Sequence, residues 1–185
     1  NGPANGTDLA YAVAVDSAGD VLVTGYSFSA SNADYATVKY AAATGAQLWA
    51  SRYNGPVNNA DYAYAVAVDS AGDALVTGQS YESGGVLSAI AIQKLSGTDG
   101  SQRWVLRENY GVQGTHRGMA VRMAADGSIR VAGSVFPSAG ERIGVLRIND
   151  LETSSTAISA ETPDPSMVGQ VVSIQVTVTG TSTQP

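Results

Sequence analysis

The chain of 185 residues has no cysteine. Disulfides, thiolate nucleophiles and thiolate-held metals are therefore excluded. It has a single histidine, and one histidine without a repeated partner makes neither a Ser–His–Asp triad nor a metal constellation. Charged residues are scarce at 14%, against an average near about 25%. The balance of 10 Lys and Arg against 16 Asp and Glu gives a net charge of -6. That argues against nucleic acid and against anionic membrane surfaces, both of which need clustered cations. No apolar run approaches the ~18 residues of a membrane-spanning helix. No G-x-S-x-G, phosphate-binding or dinucleotide fingerprint is present.

What the chain does hold is glycine, 21 in all, and a hydrophobic fraction of 44% made mostly of Ala and Val. Small apolar residues and regularly spaced glycines suit closely packed sheets better than helices. The Ser/Thr/Asn/Gly-rich surface, with lysine at 39 and 94, points to export, and a secreted or cell-surface location is expected. Asn1 is not an initiator methionine, so the chain is expected to be cut from a longer protein with room for a signal upstream.

An internal repeat decides the architecture. Asn1–Asp20 (NGPANGTDLAYAVAVDSAGD) matches Asn54–Asp73 (NGPVNNADYAYAVAVDSAGD) at an offset of 53, and the match runs on through Val21–Ser27 and Ala74–Ser80. Ala120–Ser134 is a diverged third copy that brings Gly25, Gly78 and Gly133 into register. Ala36–Trp49 matches Ala91–Trp104 at an offset of 55; in the third copy Val145–Ile148 survives, and Thr153 and Ala157 stand where Gly and Trp would recur. Each copy reads as four short strands. Ala10–Asp16 is apolar on both faces, as in a buried strand. The turn SAGD follows, with Gly at the positive-φ place. Then come Val21–Ser27, Tyr35–Ala41, a Thr44-Gly45 turn and Gln47–Tyr53. Four strands in about 40–50 residues is the spacing of a propeller blade.

The pattern D-x-A-x-A-V-A-V-D-x-x-G-[DN]-x-x-V-T-G-x-S, followed by V-K-Y and G-x-x-x-W, resembles the bacterial β-propeller repeat known as the SBBP repeat. Asp8–Ser27, Val38–Tyr40, Gly45 and Trp49 carry it, and again Asp61–Ser80, Gln93–Leu95, Gly100 and Trp104. The resemblance implies three four-stranded blades of about 53–55 residues (1–53, 54–108 and 109–150), with Trp49 and Trp104 packed between blades. Ser155–Ala160 is expected to supply the third blade's outer strand. The stretch Thr162–Thr179 resembles the opening of bacterial immunoglobulin-like domains, which implies a linker and a truncated sandwich over 151–185. The expected fold is therefore all-β: propeller blades, then a partial immunoglobulin-like segment. Three blades cannot close a ring of the usual 4–8, so the expectation is either an open fragment with exposed edges or self-association through those edges into a six-bladed ring.

The candidate ligand-binding residues are His116, Arg117, Asp8, Asp61, Tyr26 and Tyr81. His116 stands where Asp8 and Asp61 stand in the other copies, before the first strand, beside Arg117. It reads as a binding or acid–base residue, or as a drifted loop position. Asp8 and Asp61 could hold a cation or sugar hydroxyls, or cap their loops by accepting backbone N–H groups. Tyr26 and Tyr81, with Phe28, lie where strands meet loops. Tyr11 and Tyr64 read as packing. The D-S-A-G-D turns offer too few acids for calcium. No metal and no cofactor is assigned, although the G-x-x-x-W stretch also resembles the docking motif of quinone-dependent propellers. The expected function is a non-catalytic binding or scaffold module of an exported multidomain protein, with a carbohydrate or protein ligand and neither nucleic acid nor membrane insertion. The alternative is a hydrolase or lyase acting on extracellular polysaccharide; Glu108, Glu141 and Arg142 lie in the non-repeated loops where such a site would be grafted.

Overall fold

A computed structural model describes residues 2, 4–29, 31–82, 84–111, 113–137, 140, 142–151, 157–158 and 172–179. Among them there is no helix, and hence none long and apolar enough to cross a membrane. The chain is all-β and forms two sheets. The first repeat is a four-stranded antiparallel meander of β1 (Asp8–Val15), β2 (Val21–Phe28), β3 (Ala33–Tyr40) and β4 (Gln47–Tyr53). The second repeats it as β5 (Asp61–Val68), β6 (Ala74–Tyr81), β7 (Ser88–Leu95) and β8 (Gln102–Glu108). The third gives β9 (Gly114–Met123), β10 (Ser128–Pro137) and β11 (Arg142–Leu151), followed by β12 (Ala157–Ile158) and β13 (Val172–Thr179). A single bridge, Ser88 to Thr115, joins the second and third meanders into one nine-stranded sheet.

The hairpins form where the sequence places its punctuation. The Asp16 Oδ1 accepts the N–H groups of Ala18 and Asp20, both at 2.9 Å. Asp69 treats Ala71 and Asp73 alike. Gly19 and Gly72 follow with φ of 84° and 87°, a region that costs other residues energy. Across the sheet, Gly25 and Gly78 let the chain bulge between Ala10 and Ala12 and between Ala63 and Ala65. A Cβ at Gly25 would overlap the Leu9 carbonyl oxygen, and one at Gly78 that of Tyr62.

The meanders stack face to face. Leu22, Tyr35, Trp49 and Tyr53 on one face of the first meander pack on Ala63, Val66, Ala74, Val76, Ala91 and Leu95 of the second. The opposite face of the second meander, with Ala65, Leu75, Ile90 and Ile92, packs on Val121, Ile129, Val131, Leu146 and Ile148 of the third. The second meander is thus covered on both sides, which is why β6 and β7 are almost entirely buried. Each fully buried Val, Leu or Ile side chain contributes about 1.5–3 kcal/mol.

Two expectations need correction. The sheets do not close into a propeller: β1 borders β2 alone, and β5 and β12 end the long sheet. The repeat specifies strand, turn and face within one meander. Closure also requires the two end faces to meet, and nothing in the period encodes that. The segment read as opening an immunoglobulin-like domain instead joins the third meander, where β13 pairs with β11 in parallel from Gly144–Val172 to Leu151–Thr179. Ala157 and Ile158, within the expected outer strand Ser155–Ala160, pair with β13 and not with β11; the rest of that stretch lies outside the described residues. A period-2 apolar face can satisfy any open edge, and the edge of β11 was available.

The junction between the first two meanders generates a prediction. The Trp49 indole N–H donates to the Gly97 carbonyl at 3.1 Å, whereas the Trp104 Nε1 has no partner among the described residues. Trp49→Phe should lower stability by about 1 kcal/mol through the lost hydrogen bond. Trp104→Phe should cost less. Urea unfolding of the two variants compares them directly.

Candidate binding surface

Each meander places its second-strand end beside its first-strand start, so the aromatic residues there converge. Tyr26 lies 5.8 Å from Tyr11, 5.9 Å from Phe28 and 5.0 Å from Tyr62, ring centre to ring centre. Tyr62 continues to Tyr81 at 6.3 Å, and Tyr11 touches Tyr64 at 5.4 Å. Five tyrosines and one phenylalanine therefore form an unbroken run across the first junction. The rings meet tilted or edge to face, the geometry that aromatic quadrupoles favour. Tyr11 and Phe28 are exposed, and Tyr26, Tyr62, Tyr64 and Tyr81 are half-buried. Burial raises the hydroxyl pKa of Tyr26 and Tyr62 and pushes Tyr64 up to about 12. These phenols keep their protons and remain hydrogen-bond donors.

One end of the run meets a buried polar node. The Tyr64 hydroxyl donates to Gln79 Oε1 at 3.2 Å, and the Arg117 Nε donates to the same oxygen at 3.2 Å. The Gln79 amide donates to the Ser88 hydroxyl at 2.9 Å. Ser88 then binds both backbone groups of His116, donating to its carbonyl and accepting its N–H. The His116 side chain is buried, with its ring 6.1 Å from that of Tyr110. The Arg117 guanidinium lies 5.9 Å from the Phe136 ring centre, a cation–π distance.

The two aspartates hold loops. Asp8 accepts the Gly2 N–H at 2.7 Å and Asp61 the Gly55 N–H at 2.6 Å. Asp61 is fully buried, and burial raises its carboxyl pKa above the ordinary 3.8. Of the six candidate residues, Tyr26 and Tyr81 belong to the aromatic run. Arg117 and the backbone of His116 belong to the node beside it. Asp8 and Asp61 lie at the paired ends of β1–β2 and β5–β6, opposite Ser27 and Ser80.

No family model and no curated protein matches the chain. The resemblance to the bacterial propeller repeat and to immunoglobulin-like openings therefore gains no support from known families, in line with the open sheets.

Sequence reasoning missed three groups. Tyr62 stands where the first copy has Leu9, so it did not recur. Gln79 stands where the first copy has Tyr26, so it did not recur either, although it is buried. Lys39 and Lys94 are gripped by the D-S-A-G-D turns: Lys39 binds Asp16 at 2.8 Å and Asp20 at 3.4 Å, and Lys94 binds Asp69 at 3.1 Å and Asp73 at 3.7 Å. The third meander substitutes Arg147 and Asp126 at 3.1 Å. The recurrence of acids at both ends of a turn, with a lysine on the next strand but one, was the available signal. These turns hold lysine and backbone N–H groups. Among the described residues no cluster of three His, Asp or Glu could hold a metal. Trp49 is buried in the junction and is closed to a sugar. Glu108 accepts the Tyr110 N–H at 2.5 Å. Glu141 lies outside the described residues.

The pKa values of Asp16 and Asp61 are shifted in opposite directions. The hydrogen bond from Lys39 lowers the pKa of Asp16 below 3.8, so its stabilisation is present above 3.8 and lost as pH falls through the folded-state value. The raised Asp61 pKa makes the reverse contribution, present below 3.8 and lost as pH rises through its folded-state value. Carboxyl carbon NMR should find the Asp16 midpoint below 3.8 and the Asp61 midpoint above it. Asp61→Asn should remove the second dependence from the stability–pH profile.

Proposed function

We propose that this chain is a non-catalytic binding module of an exported multidomain protein, and that the tyrosine run is its recognition surface. The observation that carries the reading is the continuity of Tyr64, Tyr11, Tyr26, Tyr62 and Tyr81 with Phe28 across two repeats. Tyrosine supplies large, rigid contact area at low entropic cost and carries a polar tip. A polymeric carbohydrate fits this chemistry. Its flat C–H faces stack on the rings, and its hydroxyls exchange hydrogen bonds with protonated phenols. A run that crosses a repeat junction suits a ligand that is itself repetitive. The expected location is the cell exterior, in keeping with the cysteine-free, lysine-poor composition.

The hydrolase or lyase alternative finds less support. General acid–base cleavage of a glycosidic bond needs two carboxyl groups flanking it. Asp8, Asp61 and Glu108 are each bound to a backbone N–H of their own loop.

The test is affinity electrophoresis and calorimetry against soluble xylan, dextran and alginate. Tyr26→Ala and Tyr81→Ala should each weaken the retained polysaccharide by about tenfold, the scale of losing one anchoring aromatic contact. Leu48→Ala, at an exposed site on β4 away from the run, should leave binding unchanged. Retention indifferent to both tyrosine variants, or no retention on any of the three, would contradict the reading.

A further inference from the structure

The second meander shows what its repeat is built to do with both faces, and the first meander leaves one of those faces bare. Val66 and Val76 are 5% and 0% exposed beneath the first meander. Their counterparts at the offset of 53 are Val13 and Val23; Val13 is 65% exposed. Ala36 and Tyr40 likewise match the fully covered Ala91 and Leu95 but are only half-buried. The bare face also carries the receiving loop in finished form. In the covered case Asp73 holds the Gly97 N–H at 2.9 Å, and the Gly97 carbonyl accepts Lys39 and Trp49. In the first meander Asp20 holds the Ala42 N–H at the same 2.9 Å.

At the other end, the third meander presents the face that would meet it. Pairing register puts Arg147 where Lys39 and Lys94 stand, opposite Arg130, which replaces Leu22 and Leu75. Ile143, the counterpart of Tyr35 and Ile90, is 68% exposed. The two repeats also carry net charges of opposite sign. The first repeat carries Asp8, Asp16, Asp20 and Asp34 against Lys39 and Arg52; the third carries Arg117, Arg122, Arg130, Arg142 and Arg147 against Asp126, Glu141 and Asp150.

We propose that the bare face of the first meander is a docking site for the outer face of the third meander of a second copy of this chain. The contact repeats the internal junctions between molecules. Ile143 and the arginine stems cover Val13 and Val23, and the Arg147 guanidinium donates to the Ala42 carbonyl. The two faces differ, so the contact is head to tail. The contact is centred on Val13, Val23 and Ala42 and is read by mass, not by polysaccharide retention, so the proposal stands or falls independently of the carbohydrate reading.

The test is the mass of the full chain in solution, measured by light scattering behind a sizing column over a concentration series. The wild type should exceed the 18.9 kDa of one chain as concentration rises. Val13→Lys on one face and Ile143→Asp on the other alter exposed side chains, and unchanged far-ultraviolet dichroism checks that both variants fold. Each alone should remain at 18.9 kDa. Their equimolar mixture should recover a two-chain species, because each supplies the intact face that the other lacks. A wild type that stays monomeric, association that survives either substitution, or a mixture that stays monomeric would overturn the proposal.

Discussion

One carbonyl organises the junction between the first two repeats. The Gly97 oxygen takes hydrogen bonds from the Lys39 ammonium and the Trp49 indole of the neighbouring meander, at 3.0 and 3.1 Å. Its loop is fixed from the other side by Asp73. Lys39 is held at the same time by Asp16 and Asp20. A buried ammonium is tolerable when acids and a carbonyl surround it, so this site demands both the turn that supplies the acids and the neighbour that supplies the oxygen. The turn chemistry of one repeat is thereby tied to the packing of the next. The Tyr35 hydroxyl reinforces the link by donating to the Ala91 carbonyl at 3.2 Å.

From that link the layered arrangement follows. A meander of the first two repeats has two apolar faces, in the first repeat one lined by Leu22 and Tyr35 and the other by Val13 and Val23. The middle repeat satisfies both within the chain. The end repeats treat their uncovered faces differently: the third exchanges Ala67 and Leu75 of the second for Arg122 and Arg130, whereas the first keeps its valines. The tyrosine run is a by-product of the same stacking. Successive bulges after Ala10 and Ala63 turn Tyr11 and Tyr64 towards each other, and face-to-face packing brings Tyr26 against Tyr62.

Much of the local structure was legible in the sequence. Asp16–Asp20 and Asp69–Asp73 mark hairpins because Asp accepts the turn's N–H groups and Gly takes its positive φ, and Gln47–Tyr53 begins and ends where the pattern puts it. Other features depended on partners that a linear pattern does not name. Alternation in Val172–Thr179 announces one apolar face but not which edge receives it. A strict A-Y-A-V-A-V alternation conceals the bulge that exposes Tyr11. Nothing in the linear pattern marks Gln79 as the centre that Tyr64, Ser88 and Arg117 surround. The repeat period likewise describes each meander and is silent on whether the stack closes.

The account rests on the middle meander being covered on both faces and the first on one. Amide hydrogen exchange in dilute solution tests this most directly. The account predicts slowest exchange in Ala74–Tyr81 and Ser88–Leu95, and markedly faster exchange in Asp8–Val15 at the bare face. Equal protection of Asp8–Val15 and of Asp61–Val68, its copy in the middle repeat, would contradict it.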